Sequence, residues 1–75
     1  MIAERIKMLR ENKQLSQSEL SKKLGITRSS INAWEMGIST PSTTYLVELS
    51  QIFHVSIDYL LGLDKNVSLD ITGLD

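Results

Sequence analysis

Residues 15 to 37 decide the fold: Leu15-Ser16-Gln17-Ser18-Glu19-Leu20-Ser21-Lys22-Lys23-Leu24-Gly25-Ile26-Thr27-Arg28-Ser29-Ser30-Ile31-Asn32-Ala33-Trp34-Glu35-Met36-Gly37. Ser16 stands three residues ahead of Glu19, the spacing of a capping box in which each side chain satisfies the other's backbone amide. Leu15 and Leu20 bracket that cap as a hydrophobic staple. A helix over about residues 17–24 follows. Gly25 stops it, because glycine takes the left-handed backbone of a helix end without a Cβ clash. The pattern then repeats. Thr27 is an N-cap, Ile26 and Ile31 are a second staple pair, and a helix over about residues 28–36 ends at Gly37. Ile31 and Trp34 form its inward face, which makes Trp34 a core residue rather than a stacking platform.

The same punctuation extends outward in both directions. Ile2, Ile6 and Leu9 fall at i, i+4, i+7 and predict a helix from Ile2 to Asn12, with Asn12-Lys13-Gln14 as the turn. Downstream, Pro41 precedes Ser42, the expected N-cap of a fourth helix that carries Leu46, Leu49, Ile52 and Phe53 and ends near His54. Ser56 caps a short fifth helix, with Val55 stapled against Leu60 and Gly62 closing it. Residues 1–62 thus read as one all-α domain, a compact bundle of five helices. Residues 63–75 form a short C-terminal tail, a linker or dimerisation segment, in which Val67-Ser68-Leu69-Asp70-Ile71 alternates as a strand would.

Composition bounds what such a domain does. The chain has 75 residues, no cysteine and one histidine, so neither a disulfide nor a zinc site staples it, and the core is thin. The length excludes a barrel, a dinucleotide fold or a two-domain enzyme. The serines coincide with helix caps and His54 with a helix end, where it complements the dipole, so no catalytic residue is expected. No metal, cofactor or small-molecule ligand is implied. The start interleaves charges with apolar residues, unlike a secretory leader, and no run is long enough to span a membrane; the expected location is the cytoplasm. The net charge of −1 hides a split: residues 1–37 carry +3 and residues 38–75 carry −4. An imbalance of that kind points to a polyanion partner for the first half.

Two short helices joined by a tight glycine turn make a helix-turn-helix, whose second helix enters the DNA major groove. With Ile31 and Trp34 turned inward, Arg28, Ser29, Asn32 and Ala33 face the other way. Arg28 can span guanine O6 and N7, or hold a phosphate; Asn32 can pair with adenine N6 and N7; Ser29 can donate or accept; Ala33 can meet a thymine methyl. Thr27 and Ser30, at the start of the same helix, combine capping with possible contact. Ser42, Thr43 and Thr44 form another helix N-terminus that can hold a phosphate. Lys22 and Lys23 read as a solvated face giving general attraction.

Residues 15–27, Ile31-Asn32-Ala33-Trp34-Glu35-Met36-Gly37, Pro41-Ser42-Thr43 and Phe53-His54-Val55-Ser56-Ile57-Asp58-Tyr59-Leu60-Leu61-Gly62 together resemble the Xre/Cro-type, lambda repressor-like helix-turn-helix regulators. The resemblance implies a sequence-specific DNA-binding transcriptional regulator, a repressor, acting as a homodimer on an inverted-repeat operator. The alternative within the same fold is a module acting mainly through protein partners, as antitoxins or antirepressors do. The resemblance further implies that Gln17 touches a phosphate or reaches back to support the recognition helix. It also implies that Arg10 and Glu35 pair, a modest contribution if exposed. Two positions depart from the family: Ser21 stands where alanine is usual, and Met36 where a basic or amide side chain would donate to a phosphate. Tyr59, Leu61 and Leu63 are the expected dimer surface.

Overall fold

Caps and apolar spacing divide residues 2–63, which the computed structural model describes, into five helices: α1 (Ile2–Asn12), α2 (Gln17–Leu24), α3 (Arg28–Glu35), α4 (Thr43–Phe53) and α5 (Ile57–Leu61). The all-α expectation holds, and the helices lie where caps and glycines place them. Helix α3 is one residue shorter than expected, because Met36 is its C-cap. The alternating segment 67–71 lies outside the described residues.

All five helices stop in the same way. Past each end one residue turns left-handed, and the amide after it bonds back five residues, as in Leu15 to Arg10, Ile26 to Ser21, Ile38 to Ala33, Val55 to Ser50 and Leu63 to Asp58. Glycine fills the left-handed position after α2, α3 and α5. Gln14 (φ 59°) and His54 (φ 57°) fill it after α1 and α4, where a Cβ makes that conformation costly. His54 is thus the turning residue itself, not merely a side chain near a helix end.

Start signals match the sequence with one exception. Ser16, Thr27 and Ser56 each accept a backbone amide of the first turn. Ser42 has the extended backbone of an N-cap, but its side chain makes no capping bond. Pro41, just ahead of it, is buried, and Ser42 itself is exposed and lines a surface cleft.

The core consists of Ile6, Leu20, Leu24, Ile31, Trp34, Leu49, Phe53 and Leu60, with Ile2, Leu9, Leu15, Ile26, Tyr45, Leu46, Ile52 and Val55 packed around it. Every helix contributes at least one fully or nearly buried side chain. Helix α3 packs on both α1 and α2, and α5 packs on both α1 and α4. Arg5 ties α1 to α5: its guanidinium lies 4.2 Å from the centre of the Tyr59 ring and donates to the Tyr59 carbonyl at 2.7 Å.

The expected Arg10–Glu35 pair forms, and it is buried rather than exposed. The Glu35 side chain is 4% exposed and that of Arg10 11%. Arg10 Nε and Nη2 fork onto the two Glu35 oxygens at 2.6 and 3.0 Å, and Nη1 donates to the Leu15 carbonyl at 2.7 Å. One guanidinium thus fixes α1, the α1–α2 turn and α3. Burial raises the Glu35 pKa, but the hydrogen bonds from Arg10 and Gln17 and the charges of Arg10 and Lys7 outweigh it, and the carboxyl ends below its ordinary value.

Replacing His54 by glycine removes the left-handed strain and should raise stability by about 0.5–1 kcal/mol in urea unfolding, net of glycine's larger chain entropy. Glu35→Ala should cost about 3 kcal/mol, because it leaves a buried guanidinium with only the Leu15 carbonyl and exposed Glu11, 4.0 Å away, whereas joint replacement of Arg10 and Glu35 by Met and Leu should cost far less. Since the folded-state pKa of Glu35 is depressed, its contribution is complete above about pH 4.3, the ordinary glutamate value. It fades as pH falls through the lower folded value, and in Glu35→Ala this part of the acid dependence should vanish.

Candidate nucleic-acid interface

The pairing of α2 with α3 is built by local chemistry. Ser16 Oγ accepts the Glu19 amide at 3.0 Å, and Glu19 Oε1 accepts the Ser16 amide at 2.8 Å. Those bonds hold the Glu19 carboxyl below its ordinary pKa. Gly25, at φ 72°, turns the chain, and Thr27 starts α3 by accepting the Ser30 amide. Ser21 is 5% exposed. Its hydroxyl donates to the Ser18 carbonyl at 2.7 Å, so the extra polar atom is satisfied within α2 and the close approach of the helices survives.

Helix α3 turns Ile31 and Trp34 into the core, and Trp34 packs against Tyr45 with ring centres 5.7 Å apart. Arg28, Ser29 and Asn32 are exposed on its other side, and Ala33 is half-buried. Within the described residues Arg28 makes no hydrogen bond or ion pair. Thr27 and Ser30 are less available, because their hydroxyls bond each other at 3.1 Å. Lys22 and Lys23 are exposed along α2, as expected of a solvated face.

Gln17 reaches back. Its Nε2 donates to Glu35 Oε1 at 3.1 Å and to Asn32 Oδ1 at 3.2 Å. Both amide hydrogens are spent on α3, so its side chain has no donor left for a phosphate. These two bonds tie the start of α2 to α3. Glu35 is the residue the sequence reading undervalued here. It is more than Arg10's partner, since it also holds Gln17. The signal was its i+3 spacing from Asn32, which puts both on one face of α3.

Beside α3 lies an open cleft of about 450 Å³. Ser29, Ser30, Ala33 and Ser42 line it, over a floor that includes Ile26, Trp34 and Tyr45. It joins the exposed side of α3 to the start of α4, where Thr43 and Thr44 are also exposed. Ser39 and Thr40 complete its hydroxyl rim, a contribution of the α3–α4 loop that no motif announced. Met36 and Ile38, 66% and 75% exposed, put apolar surface on the same loop. Among the described residues no three His, Cys, Asp or Glu side chains cluster to hold a metal ion, and no helix is long and apolar enough to cross a membrane.

Known proteins share this arrangement. The HTH-type transcriptional regulator YqaE of Bacillus subtilis (strain 168), itself uncharacterized, is 41% identical over 66 residues, covering 88% of this chain and 57% of YqaE. The chain thus spans little more than half of that relative. The P22 c2 repressor, solved with the synthetic operator 9T, superposes with a TM-score of 0.79 at 33% identity, covering 85% of this chain and 97% of that one. SinR, the master regulator for biofilm formation, solved in complex with DNA, gives 0.74 at 39% identity, with 81% and 98% covered. The helix-turn-helix family profile matches residues 6–60, and the chain belongs to that family.

Proposed function

We propose that residues 1–62 form a DNA-binding domain of a transcriptional regulator, which docks α3 in the major groove of double-stranded DNA and acts by occupying its operator. The observation that carries this is the exposed side of α3. Arg28 and Asn32 stand on a helix fixed from behind by a buried ion pair, at the edge of a hydroxyl-rimmed cleft. The two solved relatives at 33% and 39% identity, each in a complex with DNA, support the same docking.

The residues divide by role. Arg28 reads guanine through its two-pronged donor face, and Ser29 and Ala33 contact neighbouring base edges. Ser42 and Thr43 take a phosphate at the α4 N-terminus, where the Ser42 hydroxyl is not engaged in capping. The Gln17 backbone amide, at the start of α2, takes another phosphate. Thr27 and Ser30 chiefly set the start of α3. Arg5 already covers Tyr59, so Leu61 and exposed Leu63 carry more of the proposed dimer contact than Tyr59 does. Such a dimer would set two α3 helices about 34 Å apart on an inverted repeat. No observation favours an antitoxin-like role over this one.

Selection of bound duplexes from a random pool tests the proposal. A recurring inverted repeat is expected, and Arg28→Ala should relax one position in each half-site by about 1–3 kcal/mol. Thr43→Ala should weaken all sequences alike without altering preference, since it removes a backbone contact. Unchanged affinity and preference in Arg28→Ala would refute groove reading by α3, and a monomer in sedimentation with operator present would refute the dimer.

A further inference from the structure

From Met36 to Val47 the chain carries no charged side chain. Within that stretch the α3–α4 loop holds out two large apolar groups, Met36 at 66% and Ile38 at 75% exposure. Ile38 is the most exposed large apolar side chain among the described residues. Both stand on a pinned backbone. The Met36 amide donates to the Asn32 carbonyl at 2.9 Å, the Gly37 amide to the Trp34 carbonyl at 3.2 Å, and the Ile38 amide to the Ala33 carbonyl at 2.9 Å. The Ala33 carbonyl also accepts the Ser39 amide at 3.3 Å. Ser39 and Thr40, next along, line the same cleft as Ser29, Ser30 and Ala33 of α3. The apolar pair is therefore held in a fixed place beside the exposed side of α3. A lone exposed apolar residue needs no explanation, but two on one pinned, uncharged loop do.

We infer that Met36 and Ile38 form a neutral docking surface for the deoxyribose edge of the DNA backbone beside the α3 site, and that this contact adds affinity which salt does not remove. The inference rests on the proposed docking of α3. A duplex backbone alternates two chemistries, anionic phosphate and carbon-rich sugar. A thioether and a branched alkyl group offer a phosphate neither charge nor a hydrogen to accept, so contact there would only strip it of water. Against the C–H face of a sugar the same groups withdraw apolar surface from water, which is favourable. Such contact displaces no counterion, so its share of the affinity does not depend on ionic strength. With no lysine or arginine between residues 36 and 47, this flank holds DNA without an ion pair. A second copy of the chain would also cover apolar side chains. The place of the loop favours DNA, because its Ser39 and Thr40 share a cleft with the side of α3 that docks.

The test takes a duplex enriched from a random pool by the wild-type chain and measures its Kd from low to high salt for wild type, Ile38→Ser and Met36→Arg. Both side chains are exposed, so the variants should keep the fold, which thermal unfolding checks. Ile38→Ser should bind about tenfold more weakly at every salt concentration, with the salt slope and the base preference unchanged. Met36→Arg sets a charge within reach of the flanking phosphates, so its salt slope should steepen by about 0.9. Cutting the duplex back to the bases that α3 reads should abolish the difference between wild type and Ile38→Ser. Equal affinity of wild type and Ile38→Ser, persistence of their difference on the short duplex, or an unchanged slope in Met36→Arg overturns the inference and leaves the DNA-binding proposal standing. A weakened dimer in sedimentation of Ile38→Ser without DNA also overturns it, and assigns the apolar pair to a second copy. Failure of the wild type to enrich any duplex overturns both.

Discussion

A carboxylate on the last turn of α3 constrains more of this structure than any other group. Buried and ionised, Glu35 needs donors on every side, and it draws them from two other helices: the guanidinium of Arg10 on α1 and the amide of Gln17 on α2. Arg10 in turn uses its remaining nitrogen on the Leu15 carbonyl, between α1 and α2. Helices of eight residues, as α2 and α3 are, do not persist alone in water. Their relative placement depends on tertiary contacts, and this polar junction supplies the directional ones. Apolar packing sets how deep Ile31 and Trp34 sit; the fork of Arg10 on Glu35 sets how α3 is rotated.

That rotation links core to surface. A shift that turned Ile31 outward would also break the reach from Gln17 to Asn32. Among the described residues, no second layer separates the buried ion pair from the exposed side of α3. Among the described residues the buried apolar core is eight side chains, and the exposed side of α3 begins a hydrogen bond away from the ion pair beside it. Residues that stabilise the domain and residues that orient its exposed amides are therefore partly the same, and Glu35 belongs to both sets.

What could be read from the sequence was what is local. Ser16 with Glu19, Gly25, Thr27 and Ser56 each act within a few residues of themselves, so spacing alone reveals them. Gln14 and His54 also turn the chain left-handed, yet neither residue type announces it, because the surrounding packing imposes the conformation. Ser42 has the right residue type and the extended backbone of a cap but not the bond, and residue type alone does not reveal which way a hydroxyl turns. The burial of the Arg10–Glu35 pair and the second use of Glu35 by Gln17 join residues 18 to 25 positions apart. Contacts of that range have no signature in one sequence beyond residue type, and direction along a hydrogen-bond chain has none at all until the acceptor-only end is located.

The charge distribution gains meaning from the same geometry. Seven bases fall in residues 1–37, but Arg10 is consumed by Glu35 and Arg5 lies over Tyr59. That leaves Lys7, Lys13, Lys22, Lys23 and Arg28 exposed, against exposed Glu4, Glu11 and Glu19 in the same half. Counterion release scales with the number of phosphates neutralised, so a surface with so few uncommitted bases gains little sequence-independent affinity. A domain docked on DNA in the proposed way would then owe a large share of its affinity to directional bonds at base edges. Such bonds discriminate only when donors and acceptors cannot exchange places.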